Sequence, residues 1–169
     1  MTTARKTPTR KASTDAIKLL TEDHKAVKAL FKDYEKLAKD EDAEDEDKLQ
    51  IAQQICTELT VHAQIEEEIF YPAAREVLDE ADLVDEADVE HASIKELVGQ
   101  IESSSPEEDD HFDARVKVLG EYVDHHVKEE EGELFPKLKK SELDLEALGE
   151  ELASRKEALL AEMGETAEA

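Results

Sequence analysis

The segments HAQIEEEIFYP (62–72) and HVKEEEGELFP (126–136) carry matching residue types at matching offsets. His62 pairs with His126, Glu66 with Glu130, Tyr71 with Phe135, and Pro72 with Pro136. A further histidine precedes each segment by a nearly equal distance, His24 before the first and His91 before the second. The chain is thus a two-fold repeat of the order His, then His-x-x-x-Glu. Residues four apart share one face of a helix, so each His-Glu pair points in one direction.

The faces they occupy are otherwise apolar. Spacings of three and four run through Ile17, Leu20, His24, Val27, Leu30 and Tyr34, and through Ile51, Ile55, Leu59, His62, Glu66 and Ile69. The same holds for Val84, Ala87, His91, Ile94, Val98 and Ile101, and for Phe112, Val116, Leu119, Val123, His126, Glu130 and Leu134. This is the period of amphipathic helices. Four such helices predict an all-α, antiparallel up-down four-helix bundle.

Punctuation sets the expected boundaries. Residues 1–12 form a basic tail without a hydrophobic stripe, read as disordered. Ser13 or Thr14 can cap a first helix ending near Lys39. The acidic run Asp40–Asp47 lacks the glycine and terminal glutamate of an EF-hand loop and reads as a solvated connection. Ser105-Pro106-Glu107-Glu108 has the form of a helix start for the fourth helix, and Pro136 is expected to break it. Ser141 and Asp144 then open a short extra C-terminal helix within 141–169, leaving the bundle proper at 13–140.

Histidine and glutamate at core-facing positions create an energetic conflict. An uncompensated buried carboxylate costs several kcal/mol, a large part of the stability of ~5–15 kcal/mol typical of a domain. A lone core histidine is ordinarily a packed, hydrogen-bonded residue. Four of them on four helices, two followed by Glu, form a ligand set instead. A pair of divalent cations resolves the conflict: imidazoles become terminal ligands and the carboxylates become bridges. Nitrogen and oxygen donors without thiolate suit iron or manganese, with zinc as a further candidate.

Composition removes other function classes. With 46 Asp and Glu against 21 Lys and Arg, the net charge of −25 repels nucleic-acid phosphates and anionic membrane surfaces. One cysteine, Cys56, excludes an internal disulfide and any thiolate cluster. The absence of a long apolar run or signal-type segment predicts a cytoplasmic protein.

From about Ile17 to Leu138, the repeated motif resembles the hemerythrin-like, or HHE cation-binding, family. The resemblance implies a hemerythrin-like bundle around a non-haem di-iron centre. It implies His24, His62, Glu66, His91, His126 and Glu130 as ligands, with the two glutamates bridging. Oxygen carriers of the family place another histidine four residues after the third-helix ligand, where this chain has Lys95. That departure weighs against simple reversible oxygen carriage and leaves an exchangeable position. The expected function is binding or sensing of O2, NO or peroxide. The alternatives are an enzyme that decomposes peroxide or handles NO, and an iron-supply or storage protein. Ferritin-type Glu-x-x-His ligation is disfavoured, because Thr21, Leu59, Asp88 and Val123 stand three residues before the histidines. No protein partner is indicated.

Neighbouring residues have plainer readings. His125 lies about 100° around the helix from His126 and is expected at the surface; His111 is expected to be structural. Lys95 is expected to snorkel outward, and Cys56 to be a packed thiol. Glu67 and Glu131 are candidate alternative ligands. Tyr122 is read as a core tyrosine, one turn from His126, that could reach a bound oxygen species.

Overall fold

The computed structural model describes residues 15–168, so the basic tail and the caps expected at Ser13 or Thr14 lie outside the described residues. Helix α1 spans Ala16–Lys39, and its cap is Asp15, whose carboxylate accepts a hydrogen bond from the Lys18 amide at 2.8 Å. That bond satisfies one of the amides a helix start leaves without a partner. Helix α2, Asp45–Ile65, begins inside the acidic run, with Asp45, Glu46 and Asp47 in its first turn. There they face the positive end of the helix dipole.

Helices α3 (Tyr71–Val77), α4 (Asp82–Glu102), α5 (Phe112–Glu129) and α6 (Phe135–Lys139) follow. Two wide π turns, Glu66–Phe70 and Glu130–Leu134, join α2 to α3 and α5 to α6 without interruption. Pro136, expected to break the fourth helix, therefore stands in the first turn of α6, as Pro72 does in α3. The amides of Tyr71 and Phe135 bond to the carbonyls of Glu66 and Glu130, five residues back. Widening the turn there accommodates the proline that follows, which has no N–H and would crowd a carbonyl in a regular α-helix.

The start of α5 also differs from expectation. Ser105–Glu108 closes a single turn, with the Glu108 and Asp109 amides 3.2 and 3.0 Å from the Ser105 carbonyl. Asp109 ends it by accepting from the His111 amide at 2.9 Å and from Arg115 Nε at 2.8 Å. Such local side-chain bonds compete with helix propagation. The long helix starts only at Phe112, which is buried.

In the bundle α1 packs against α2 and α5, and α4 packs against the same two helices. Tyr34, late in α1, donates to Asp113 at the start of α5 at 2.6 Å, and Lys48 at the start of α2 reaches the same carboxylate at 3.1 Å. Helix α1 thus runs antiparallel to both neighbours. Helix α7, Leu145–Glu168, has 24 residues, equal to α1 and longer than the short helix expected. Asp144 caps it through the Ala147 amide at 3.1 Å. Its Leu148, Leu152 and Leu159 are buried in the core shared with α1, α2 and the π turns.

Two apolar cores result among the described residues. One, around Leu20, Ile65, Phe70, Leu134 and Leu152, surrounds the π turns and α7. The other, around Val27, Ile55, Ile94, Phe112 and Leu119, fills the opposite end. The buried His and Glu residues form a polar layer between them. No helix among the described residues is long and apolar enough to cross a membrane.

Candidate metal centre

Helices α1, α2, α4 and α5 each deliver one histidine to this layer, and each π turn delivers one glutamate. All six expected residues are buried and converge. His24 Nε2 and His62 Nε2 are 3.2 Å apart, as are His91 Nε2 and His126 Nε2. Glu66 Oε1 lies 2.9 Å from His62 Nε2 and 3.4 Å from His91 Nε2, linking the two histidine pairs. Glu130 links them on its own side: Oε1 is 3.3 Å from His24 Nε2, and Oε2 is 3.2 Å from His126 Nε2. Two donor triads emerge, His24–His62–Glu130 and Glu66–His91–His126, each with its ligand atoms within 4.8 Å of one another.

The outer ring nitrogens explain why the inner ones converge. His62 Nδ1 meets Asp23 Oδ2 at 3.0 Å, and His126 Nδ1 meets Glu90 Oε1 at 3.1 Å. His24 Nδ1 meets Glu131 Oε1 at 3.0 Å; His91 Nδ1 faces Glu67 Oε2 at 3.5 Å, and that pair makes no hydrogen bond. A carboxylate at Nδ1 favours the proton there and turns the Nε2 lone pair inward, as metal-ligating histidines require. The set keeps the two-fold repeat. Asp23 and Glu90 each precede a layer histidine and hold the ring on the next helix, while Glu67 and Glu131 each follow a layer glutamate.

The layer is electrostatically incomplete by itself. Both oxygens of Glu66 and Oε1 of Glu130 are buried and make no hydrogen bond of acceptable geometry, despite the nearby histidines. Burial pulls the His62 pKa down, but Glu66, Asp23 and Glu130 outweigh it and hold the ring's pKa well above its ordinary value. Burial likewise opposes charge on His126, yet Glu130, Glu66 and Glu90 raise its pKa to about 9. Burial would raise the Glu66 pKa, but contacts with His62 and His91 keep it well below the carboxylate range. Protons on the rings compensate the carboxylates in part. A pair of cations would satisfy the inward lone pairs and the unbonded oxygens together, so the donor set fits a metal.

A pocket of about 380 Å³, counting its opening to solvent, adjoins the histidine layer. Its apolar walls include Val27, Leu59, Ile94 and Val123, each three residues from a layer histidine, together with Ala63 and Val127. On the carboxylate side, Tyr71 Oη donates to Glu130 Oε2 at 2.7 Å and lies 3.2 Å from His91 Nε2 and 3.4 Å from His126 Nε2. Burial, with Glu66 and Glu130 close by, pushes the phenol pKa up and keeps it protonated. Tyr71 stood out in the sequence only as the counterpart of Phe135. Tyr122, the tyrosine singled out there, is 47% exposed and belongs neither to the core nor to the layer.

Other expectations hold in part. His125 and His111 are exposed, at 67% and 79% of their side chains. Lys95 points outward and pairs with Glu67 Oε1 at 2.5 Å. Glu67 and Glu131 stand behind the histidines as outer partners. Cys56 is buried, and burial pushes its thiol up to about 12.

A helical bundle with a buried His/Glu layer of this kind defines a cation-binding protein. The hemerythrin HHE cation-binding domain matches residues 15–138, and the chain belongs to that family. Its fold is similar to the hemerythrin HHE cation-binding domain-containing protein of Mycobacterium kansasii, with a TM-score of 0.70, 22% identity and 86% of each chain covered. A curated DNA nickase from Nostoc sp. is 40% identical over 82 residues; the match spans 48% of this chain and 23% of that protein.

Proposed function

We propose that the chain is a non-haem di-iron protein that binds or senses O2, NO or peroxide. His24, His62, His91 and His126 would hold the two ions through their imidazoles, and Glu66 and Glu130 would supply carboxylates to both. The observation that carries this reading is the cross-linking of the triads: each glutamate approaches one histidine of each pair. Nitrogen and carboxylate donors without sulfur favour iron, with manganese or zinc as competitors. Bound iron would supply the redox and ligand-exchange chemistry. The chain's own contribution is to orient three of the four imidazoles through hydrogen bonds to outer carboxylates, and to offer an apolar pocket suited to small uncharged molecules.

Tyr71 favours a second reading, turnover of peroxide, because its hydroxyl is a proton-bearing group inside the layer. A net charge of −25 repels DNA phosphates, which opposes the nicking activity that names the Nostoc relative. Metal analysis of protein purified without chelator or nickel resin, followed by optical spectra with O2, NO and peroxide, tests the proposal. Binding predicts a stable spectral change at stoichiometric ligand; turnover predicts continued consumption of peroxide. Fully folded protein that takes up one iron or none would refute the di-iron assignment.

A further inference from the structure

The matched family region ends at residue 138, yet the C-terminal helix α7 reaches the candidate centre. Lys156 Nζ lies 2.5 Å from Asp23 Oδ1, and Asp23 Oδ2 holds His62 Nδ1 at 3.0 Å. The neighbouring Arg155 pairs with Glu68 of the first π turn, Nε at 2.8 Å and Nη2 at 3.4 Å. Adjacent cations on α7 therefore grip both the residue that orients His62 and the turn that carries Glu66.

The other half of the repeat is built differently. Glu90, the counterpart of Asp23, holds His126 Nδ1 at 3.1 Å and faces His125 Nε2 at 3.5 Å. His125 is 67% exposed, whereas Lys156 is an ammonium on a largely covered stem, 27% exposed and in direct contact with Asp23. Lys95 does reach Glu67 behind His91, but Lys95 is 53% exposed and Glu67 makes no hydrogen bond to that ring, whereas Asp23 is bonded to His62 itself. The pseudo-symmetric ligands thus have unequal electrostatic backing.

We propose that Lys156 is a positioning residue that makes the two cation positions unequal, by drawing the charge of Asp23 away from His62. A carboxylate behind a metal-bound imidazole raises its donor strength. An ammonium on the same carboxylate opposes that effect and also repels a nearby cation. The His24–His62 position is therefore the weaker of the two, and α7 sets the difference. This rests on the proposed cation pair.

The test is stepwise titration of metal-free protein with Co(II), followed by absorption and chelator competition, in the parent, Lys156→Gln and Lys156→Arg. Gln keeps a hydrogen-bond donor for Asp23 without the charge; Arg keeps the charge. The parent is expected to fill in two unequal steps. In Lys156→Gln the weaker step should tighten by roughly tenfold while the stronger stays in place. Lys156→Arg should titrate like the parent. Weakening of both steps in Lys156→Gln would mean that Lys156 only fastens α7, and would overturn the inference. So would two equal steps in the parent, or a Lys156→Gln titration identical to the parent's. A parent that binds fewer than two Co(II) per chain would overturn the cation pair itself, a result distinct from any of these.

Discussion

Tyr71 and Phe135 stand at equivalent positions of the repeat and act on opposite pairs of histidines. Tyr71 Oη donates to Glu130 Oε2 at 2.7 Å beside His91 and His126, whereas the Phe135 ring stacks on His24 with centroids 6.1 Å apart and planes 5° from parallel. One side of the layer carries a proton donor and the other a hydrocarbon face. At this pair of positions the two halves differ by a single oxygen atom.

Removing that oxygen should be informative. Tyr71→Phe leaves Glu130 Oε2 without its hydroxyl partner in a buried site, at a cost of about 1–3 kcal/mol in the metal-free protein. Iron content should remain at the parental level, because the hydroxyl is not among the six proposed ligands. If the phenol supplies a proton to bound peroxide, stopped-flow traces should show slower peroxide consumption at equal iron content. Urea unfolding of the metal-free protein checks the stability effect separately.

The adjacent histidines provide a register test. His126 is buried against Glu130 and Glu90, while His125 is largely exposed. His126→Ala should lower metal occupancy and thermal stability, and His125→Ala should change both by little. Metal analysis with melting curves on the two variants decides it. A larger loss in His125→Ala would shift the ligand register by one residue.

Lys95 stands where oxygen carriers have an additional histidine, but its side chain is 53% exposed and bound to Glu67. Lys95→His should therefore add no ligand. Its optical spectrum and peroxide kinetics should match the parent's at equal iron content. A longer-lived oxidised spectrum would show that the new ring turns into the layer.

The metal-free protein should depend on pH in a defined direction. The His62 pKa is held well above its ordinary value and that of His126 at about 9, against about 6.5 in the unfolded chain. Their contribution to stability is complete below about pH 6.5 and is lost as pH rises through the folded values. The depressed pKa of Glu66 works oppositely, adding stability above about pH 4.5 that is lost as pH falls. Stability without metal should therefore be greatest between about pH 4.5 and 6.5, then fall by about 1–3 kcal/mol per pH unit towards pH 9. Metal binding must displace those ring protons, so the stabilisation it confers should grow over the same interval. Urea midpoints at several pH values, with and without metal, measure both trends.

The layer residues were legible because a helix returns to the same face every three or four positions. His62 and Glu66 could be placed together without knowing where any other helix lay. The same regularity identified the four apolar stripes and hence the bundle. The role of the outer carboxylates was not legible for the same physical reason: Glu67 and Glu131 stood out only as alternative ligands beside the layer glutamates, and Asp23 and Glu90 not at all. Asp23, Glu67, Glu90 and Glu131 each sit one position from a layer residue, about 100° around their helix, and gain meaning only from the ring on a neighbouring helix. Among 46 acidic residues nothing local marks any of them as a partner of an imidazole. Tyr71 acquired its hydroxyl contact, and Lys156 its hold on Asp23, in the same way. One depended on a wide turn that redirects the chain, the other on a helix docked 133 positions away in sequence. Helical periodicity is a property of neighbouring residues and is written in the chain, whereas these contacts depend on how separate helices pack, which only the tertiary structure decides.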